Sequence, residues 1–216
     1  MLEKMDAFFE KRLHSYDEHM LTNIEGASEF YPYTAACLPT DEHCSVLDLG
    51  CGTGLELGYY FARNPSARVV GIDLSQGMLR ALQQKFAHMQ IELICASYFD
   101  VPLGVGVFDC AVSVESLHHF VAEQKVALYT KLWHALKDGG YFVLTDYFAP
   151  TDADEQFHAR TLRELKSAQG IDDDDFYHYD TPLTIAHETQ ALYDAGFASV
   201  EVLRTWVATA VLKAIK

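Results

Sequence analysis

Between residues 45 and 147, short apolar runs alternate with stretches of helical periodicity. The runs at 45–49, 68–72, 91–95, 108–114 and 141–147 are short and mostly apolar, which predicts strands buried on both faces. Helical stretches start near Gly54 and Ser75, and another covers 121–136. Strands alternating with helices build βαβ units, and so a parallel sheet covered on both sides. The ends differ from this pattern. Met5, Phe9, Leu13, Tyr16 and Met20 fall three or four apart, the stripe of an amphipathic helix over residues 1–22. Beyond Gly26, residues 30–38 read as a second helix with Pro32 in its first turn. Two β-like runs follow one another at 199–206 and 207–215, which predicts a hairpin with an antiparallel strand completing the sheet. The roughly fifty residues before that hairpin hold two helical stretches split by the run Asp172 to Asp175, and are expected to cover one end of the sheet.

Size and charge narrow the possible functions. A chain of 216 residues forms one large domain, burying roughly 70% of its unfolded surface without a metal or disulfide staple. No run reaches the roughly 18 apolar residues of a membrane span, and residues 1–12 lack the apolar core of a signal peptide, so a cytoplasmic location is expected. Sixteen Lys and Arg against thirty-one Asp and Glu leave a net charge of -15. Nucleic-acid affinity comes largely from neutralising phosphates, so a nucleic-acid substrate is disfavoured. The five cysteines show no CxxC spacing, which argues against a thiolate zinc site. They read as reduced cysteines, with Cys95 and Cys110 in buried strands.

The strongest local signal is Val46-Leu47-Asp48-Leu49-Gly50-Cys51-Gly52-Thr53-Gly54, a buried strand entering three alternate glycines and then a helix. Glycines allow a tight turn and let a ligand approach without a Cβ in the way. The spacing is GxGxG, not the GxGxxG that seats a pyrophosphate. Asp48 stands two residues before the first glycine, where a carboxylate repels pyrophosphate and favours an ammonium or sulfonium. Asp73 ends the second strand 23 residues after Gly50, a distance that suits a carboxylate taking both hydroxyls of a ribose. These features describe a nucleoside with a cationic tail, S-adenosyl-L-methionine.

On these residues the chain resembles the class I S-adenosylmethionine-dependent methyltransferases. The likeness continues through Gly71-Ile72-Asp73-Leu74-Ser75, Phe108 to Ser113, Leu117-His118-His119-Phe120 and Leu136 to Leu144, covering about residues 44–148. The resemblance implies an α/β, Rossmann-like three-layer sandwich with seven strands, mostly parallel, an antiparallel C-terminal strand and a helical cap. The expected division is a cap over 1–40, a cofactor-binding core over 44–148, a helical insertion over 150–196 and a hairpin over 197–216. It further implies that Gly50, Cys51, Gly52 and Gly54 frame the methionine part of the cofactor, with Asp48 near its ammonium. Asp73 would hold the ribose, and Leu74 and Met78 would touch the adenine side. Ser97 stands where the family commonly has an aspartate for the adenine amino group, and the Tyr98 backbone N–H would serve the ring nitrogen. Val114 and Glu115 would leave the fourth strand at the methionine end. The product would be S-adenosyl-L-homocysteine.

Methyl transfer is an in-line displacement on an activated sulfonium, so the enzyme mainly supplies proximity, alignment and a dry site. A base matters for a hydroxyl or a protonated amine. His118 and His119 follow the fourth strand, and an unperturbed pKa near 6.5 suits such work. The same Leu-His-His stretch also reads as packing and loop hydrogen bonds. Adjacent histidines seldom serve one metal, so none is assigned. Tyr16 resembles an N-terminal tyrosine that contacts cofactor or substrate in small-molecule relatives, and it equally belongs to the apolar stripe. The acids at 172–175, beside Phe176, Tyr177 and Tyr179, read either as a solvated loop or as a lid attracting a cationic substrate. The expected activity is methyl transfer to a small molecule by a monomer or homodimer without membrane contact. The rivals are a tRNA-modifying (carboxy)methyltransferase and a non-catalytic cofactor-binding scaffold.

Overall fold

The computed structural model of the chain describes residues 1–171 and 175–216. One sheet holds β1 (Ser45–Leu49), β2 (Arg68–Asp73), β3 (Gln90–Cys95), β4 (Phe108–Val114), β5 (Leu136–Tyr147), β6 (Ser199–Trp206) and β7 (Thr209–Ile215). The spatial order is β3-β2-β1-β4-β5-β7-β6. Only β7 runs antiparallel to its neighbours, pairing with β5 and β6. The fold is thus the doubly wound α/β sheet expected from the alternation of runs, closed by a hairpin.

Side-chain alternation along the strands explains the three layers. Val46, Cys110, Val112, Val143 and Val211 face one apolar core, and Leu47, Leu49, Ala111, Phe142, Leu144 and Leu212 face the other. The first core is covered by α3 (Ala27–Cys37), α4 (Leu55–Arg63) and α5 (Gln76–Lys85). The second is covered by α6 (Ala122–Ala135) and α8 (Ile185–Asp194). Because both faces of the central strands are buried, they carry apolar residues at nearly every position.

Several boundaries differ from the sequence expectation. The N-terminal stripe is not one helix. It folds as α1 (Met5–Arg12), a 3₁₀ turn over Leu13–Ser15, and α2 (Tyr16–Asn23). The break lets Met5 and Phe9 pack down on one core while Met20 and Tyr16 join the other. The next helix starts at Ala27, so Pro32 lies inside it and not in its first turn. β5 begins at Leu136, earlier than expected, with its pairing to β4 shifted between Phe108 and Cys110. Cys95 is exposed, because it ends β3 at the edge of the sheet.

The insertion opens with α7 (Asp152–Ala168), which buries none of its residues. Residues 176–178 then run against the N-terminus: the Met5 N–H donates to the Phe176 carbonyl at 3.0 Å, and the His178 N–H to the Glu3 carbonyl at 2.9 Å. Of the acidic run, Asp172, Asp173 and Asp174 lie outside the described residues, and Asp175 meets the Lys4 ammonium.

Candidate active site

The strand order reverses between β1 and β4, and open α/β sheets bind ligands beyond the carboxyl ends of the strands at such a point. Gly50 and Gly52 follow β1 with φ of +75° and +48°, a region that disfavours any side chain. They let the chain fold back so that the Gly50 N–H reaches the Ile72 carbonyl at 2.8 Å. Asp73 closes β2. One of its oxygens accepts from the Gly52 N–H at 2.9 Å and the other from the Ser75 N–H at 2.8 Å. Burial pushes its pKa up, and these backbone donors work against that.

A narrow cleft of about 40 Å³ lies along this turn, lined by Gly50, Gly52, Asp73, Leu74, Met78 and Tyr98, with Glu115 and Ser116 at one end. Met5, Phe9 and Tyr16 roof it from the N-terminal segment. A larger cavity of about 660 Å³ adjoins it. Phe9, Tyr16, Glu115 and His119 line both spaces. The large cavity's walls are chiefly apolar (Phe8, Met20, Ile24 and Tyr147 among them), with Arg12, His118, His178 and Asp180 as polar points. Glu115 and Val207, two of its lining residues, hold positive φ without being glycine, at 49° and 31°. Such conformations cost of order 1–3 kcal/mol and cluster at functional sites.

Its polar groups form one connected arrangement. His118 and His119 sit in a 3₁₀ turn over Leu117–His119, directly after β4. Asp146, fully buried on β5, places one carboxylate oxygen 2.5 Å from His118 Nδ1, and its other oxygen accepts from the Leu117 N–H at 2.9 Å. Burial disfavours an imidazolium at His118, but Asp146 outweighs it, with Glu115 and Asp180 adding, and the pKa rises to about 9. In this metal-free network His118 is favoured as an imidazolium that donates to Asp146, unlike the free base that an unperturbed value describes. Burial lowers the pKa of His119 and takes that of His178 down to about 4, so both are neutral. Burial raises Glu115 to about 7. Tyr16 is pushed far up by burial and by the nearby Asp73 carboxylate, so its phenol keeps its proton and is available as a donor.

The remaining expected site residues lie beside the cleft, not in its lining. Asp48 is 1% exposed beneath the glycine turn, where it faces the equally enclosed Glu56. Burial and that neighbour raise the Asp48 pKa strongly, so the pair holds a proton. Cys51 turns its sulfur toward Gly71, Gly54 is the N-cap of α4, and Val114 is buried in β4. Ser97 uses its hydroxyl locally, accepting from the Phe99 N–H at 3.2 Å. Sequence reasoning missed Ser116, whose hydroxyl meets the Tyr98 phenol at 3.2 Å beside the cleft, Asp146 buried behind His118, and Asp180 and His178 in the cavity lining. Asp146 lies near the carboxyl end of the otherwise apolar β5, in a Thr-Asp-Tyr step. That buried polar pair at a strand's carboxyl end was the available signal.

A sequence profile of a methyltransferase domain family matches residues 46–140. The chain is 29% identical over 72% of its length to a biotin biosynthesis bifunctional protein of Teredinibacter turnerae, covering 27% of that protein. It is 26% identical to a carboxy-S-adenosyl-L-methionine synthase of Helicobacter hepaticus, over 94% of this chain and 86% of that protein. Human N-acetylserotonin methyltransferase, solved in complex with S-adenosylmethionine, superposes with a TM-score of 0.67 at 18% identity, covering 98% of this chain and 56% of that one. The chain spans less than a third of the length of the first three curated relatives it matches.

Proposed function

We propose that the chain acts as a class I S-adenosylmethionine-dependent methyltransferase, and that it methylates a small molecule held in the cavity beneath its N-terminal helices. The observation that carries this reading is the shared wall: Phe9, Tyr16, Glu115 and His119 border both the narrow cleft and the 660 Å³ cavity. A ligand in one space therefore abuts a ligand in the other.

The residues of the cleft fit the cofactor. Asp73 keeps lone pairs beyond those used by Gly52 and Ser75, enough to accept from two ribose hydroxyls. Leu74, Met78 and Tyr98 give the apolar walls a base needs, and Gly52 leaves open space, since a Cβ there would meet nothing closer than the Tyr16 ring at 3.9 Å. When bound, S-adenosylmethionine supplies an electrophilic methyl on a sulfonium, which Glu115 at the methionine end suits by charge. The described cleft of 40 Å³ is far below the ~300 Å³ of a typical ligand site, so seating the whole cofactor requires the roof residues Met5, Phe9 and Tyr16 to give way.

In the cavity, Phe8, Phe9, Met20 and Tyr147 exclude water and align an apolar acceptor. Tyr16 donates a hydrogen bond, and the charged His118 orients an electronegative group of the acceptor. Glu115 borders both ligands and is the carboxylate placed to take the acceptor's proton. The concave cavity and the charge of -15 favour a small molecule over tRNA.

Calorimetric titration with S-adenosylmethionine and S-adenosylhomocysteine tests the cofactor assignment. Micromolar binding is expected, weakened at least tenfold in Asp73→Ala, since a charged hydrogen bond contributes about 1.5–3 kcal/mol. Carboxy-S-adenosylmethionine belongs in the same titration, given the name of the relative matched over nearly its full length. No binding by a folded wild type overturns the cofactor assignment. Binding without label transfer to any member of a broad small-molecule panel favours the scaffold role.

A further inference from the structure

Beside the wall shared by the two spaces the structure brings together a set of donors competent to bind a metal ion. His118 Nε2 lies 3.6 Å from Asp180 Oδ1, and His119 Nδ1 lies 3.1 Å from the same oxygen. All three donors fall within 4.8 Å of one another. We propose that His118, His119 and Asp180 form a binding site for a single divalent transition-metal ion of the zinc class, with its remaining coordination position open to the large cavity. The inference goes beyond methyl transfer and does not depend on cofactor binding.

Three observations carry it. The first is spacing. Two ligands about 2.1 Å from a tetrahedral zinc lie about 3.4 Å apart, and 3.1 and 3.6 Å bracket that edge. The second is the outer support. Metal-bound histidines almost always donate their other ring N–H to a carboxylate or carbonyl, which fixes tautomer and orientation. Asp146, with no exposed surface, holds His118 Nδ1 at 2.5 Å and so leaves Nε2 for the cavity side, where a bound ion would displace the proton that His118 carries in the metal-free network. The third is preorganisation across the chain. Asp180 comes from the insertion, 61 residues beyond His119. The Thr181 N–H donates to the His118 carbonyl at 2.7 Å, which ties the carboxylate's backbone to the turn carrying both imidazoles.

The surroundings suit a cation. Glu115, Asp146 and Asp180 ring the position, whereas Arg12 lines another part of the same cavity. His118 and His119 are buried and Asp180 is partly open, with a side chain 45% exposed, so the ion has a route in. An ion here sits against Glu115 and the wall shared with the cleft. Its open position would bind a hydroxyl or thiol of the acceptor and lower that group's pKa toward neutrality. The alternative use of the same groups is a metal-free network in which His119 Nδ1–H donates to Asp180 or to the Tyr179 carbonyl, 3.3 Å away.

The test uses the full chain, stripped by a chelator and kept reduced, titrated with Co²⁺ and Zn²⁺ without cofactor. One ion per chain is expected, with a visible cobalt band and no sulfur-to-metal charge transfer. Asp180→Ala and His119→Ala should each weaken affinity at least tenfold, and Asp146→Asn by roughly 10–100-fold. Circular dichroism verifies each fold, and zinc X-ray absorption on wild type reads the donors directly if a variant unfolds. Nitrogen and oxygen donors only are the expected result. No binding at tens of micromolar metal, a sulfur donor from one of the cysteines, or stoichiometric binding that survives Asp180→Ala would overturn the site and leave the metal-free network.

Discussion

At the scale of single residues, the glycine turn separates two requirements that sequence alone merges. Gly50 and Gly52 both hold positive φ, but their neighbours differ. A Cβ on Gly50 would sit 2.1 Å from the Ser116 hydroxyl and 2.6 Å from its Cβ, whereas one on Gly52 would meet only the Tyr16 ring edge at 3.9 Å. Gly50→Ala is therefore expected to destabilise the fold by more than the left-handed strain of about 1–2 kcal/mol, because the turn and Ser116 must also move apart. Gly52→Ala should cost about that strain alone, yet it should weaken S-adenosylmethionine binding, since the added methyl fills ligand space. Thermal melts with and without cofactor separate the two outcomes. Equal losses of stability would contradict the geometry. The placement of the glycines and Asp73 beside the cleft was legible, because apolar spacing fixes where β1 and β2 end. Asp48 was not, because whether a carboxylate opens into a cleft or shares a proton with Glu56 beneath it depends on where α4 places Glu56.

Among the elements, α1 decides access. Its Glu10 carboxylate accepts from the Ser75 hydroxyl and from the Gly77 N–H, each at 2.9 Å, where α5 starts. These bonds complement the positive end of that helix and hold α1 over the cleft. The same donors pull the Glu10 pKa below its ordinary value near 4.5. A depressed pKa means that the latch is fully present above the ordinary glutamate range and is lost as pH falls through the depressed value. Between pH ~6 and ~8 its strength should therefore not change. Glu10→Gln removes the charge and is expected to speed cofactor release several-fold in stopped-flow measurements near neutrality, with little change in melting temperature because Glu10 is exposed. An unchanged release rate would show that α1 is held elsewhere. The periodicity of residues 1–22 announced a helix but not its break at Leu13–Ser15, because one face serves two different cores. The strands were easier to place, since residues buried on both faces write continuous apolar runs.

For the molecule as a whole, the question is what fastens the C-terminal third to the cofactor-binding core. α6 precedes β5 and α8 closes the insertion, and they meet through a buried trio. Lys125 Nζ lies 2.5 Å from one Glu188 oxygen, and the Tyr129 hydroxyl bonds the other. Lys125 and Glu188 have side chains 1% and 0% exposed. The sequence gives no warning of this, since charges spaced along two distant helices normally face water. Surface ion pairs contribute little, but a charge stranded in an apolar interior costs several kcal/mol. Lys125→Met leaves Glu188 with the Tyr129 hydroxyl alone, and a loss of about 3–5 kcal/mol is expected. For a domain of this size that corresponds to a fall of roughly 10 °C in melting temperature. The triple change Lys125→Met, Tyr129→Phe and Glu188→Leu removes every charge and donor together and should recover most of the loss. Because α8 also positions the hairpin through Leu192 and Phe197 in the same core, Lys125→Met should lower the unfolding midpoint of the whole domain as one transition. Two separate transitions by calorimetry would mean that the C-terminal third melts on its own, and that the trio fastens only α6 to α8.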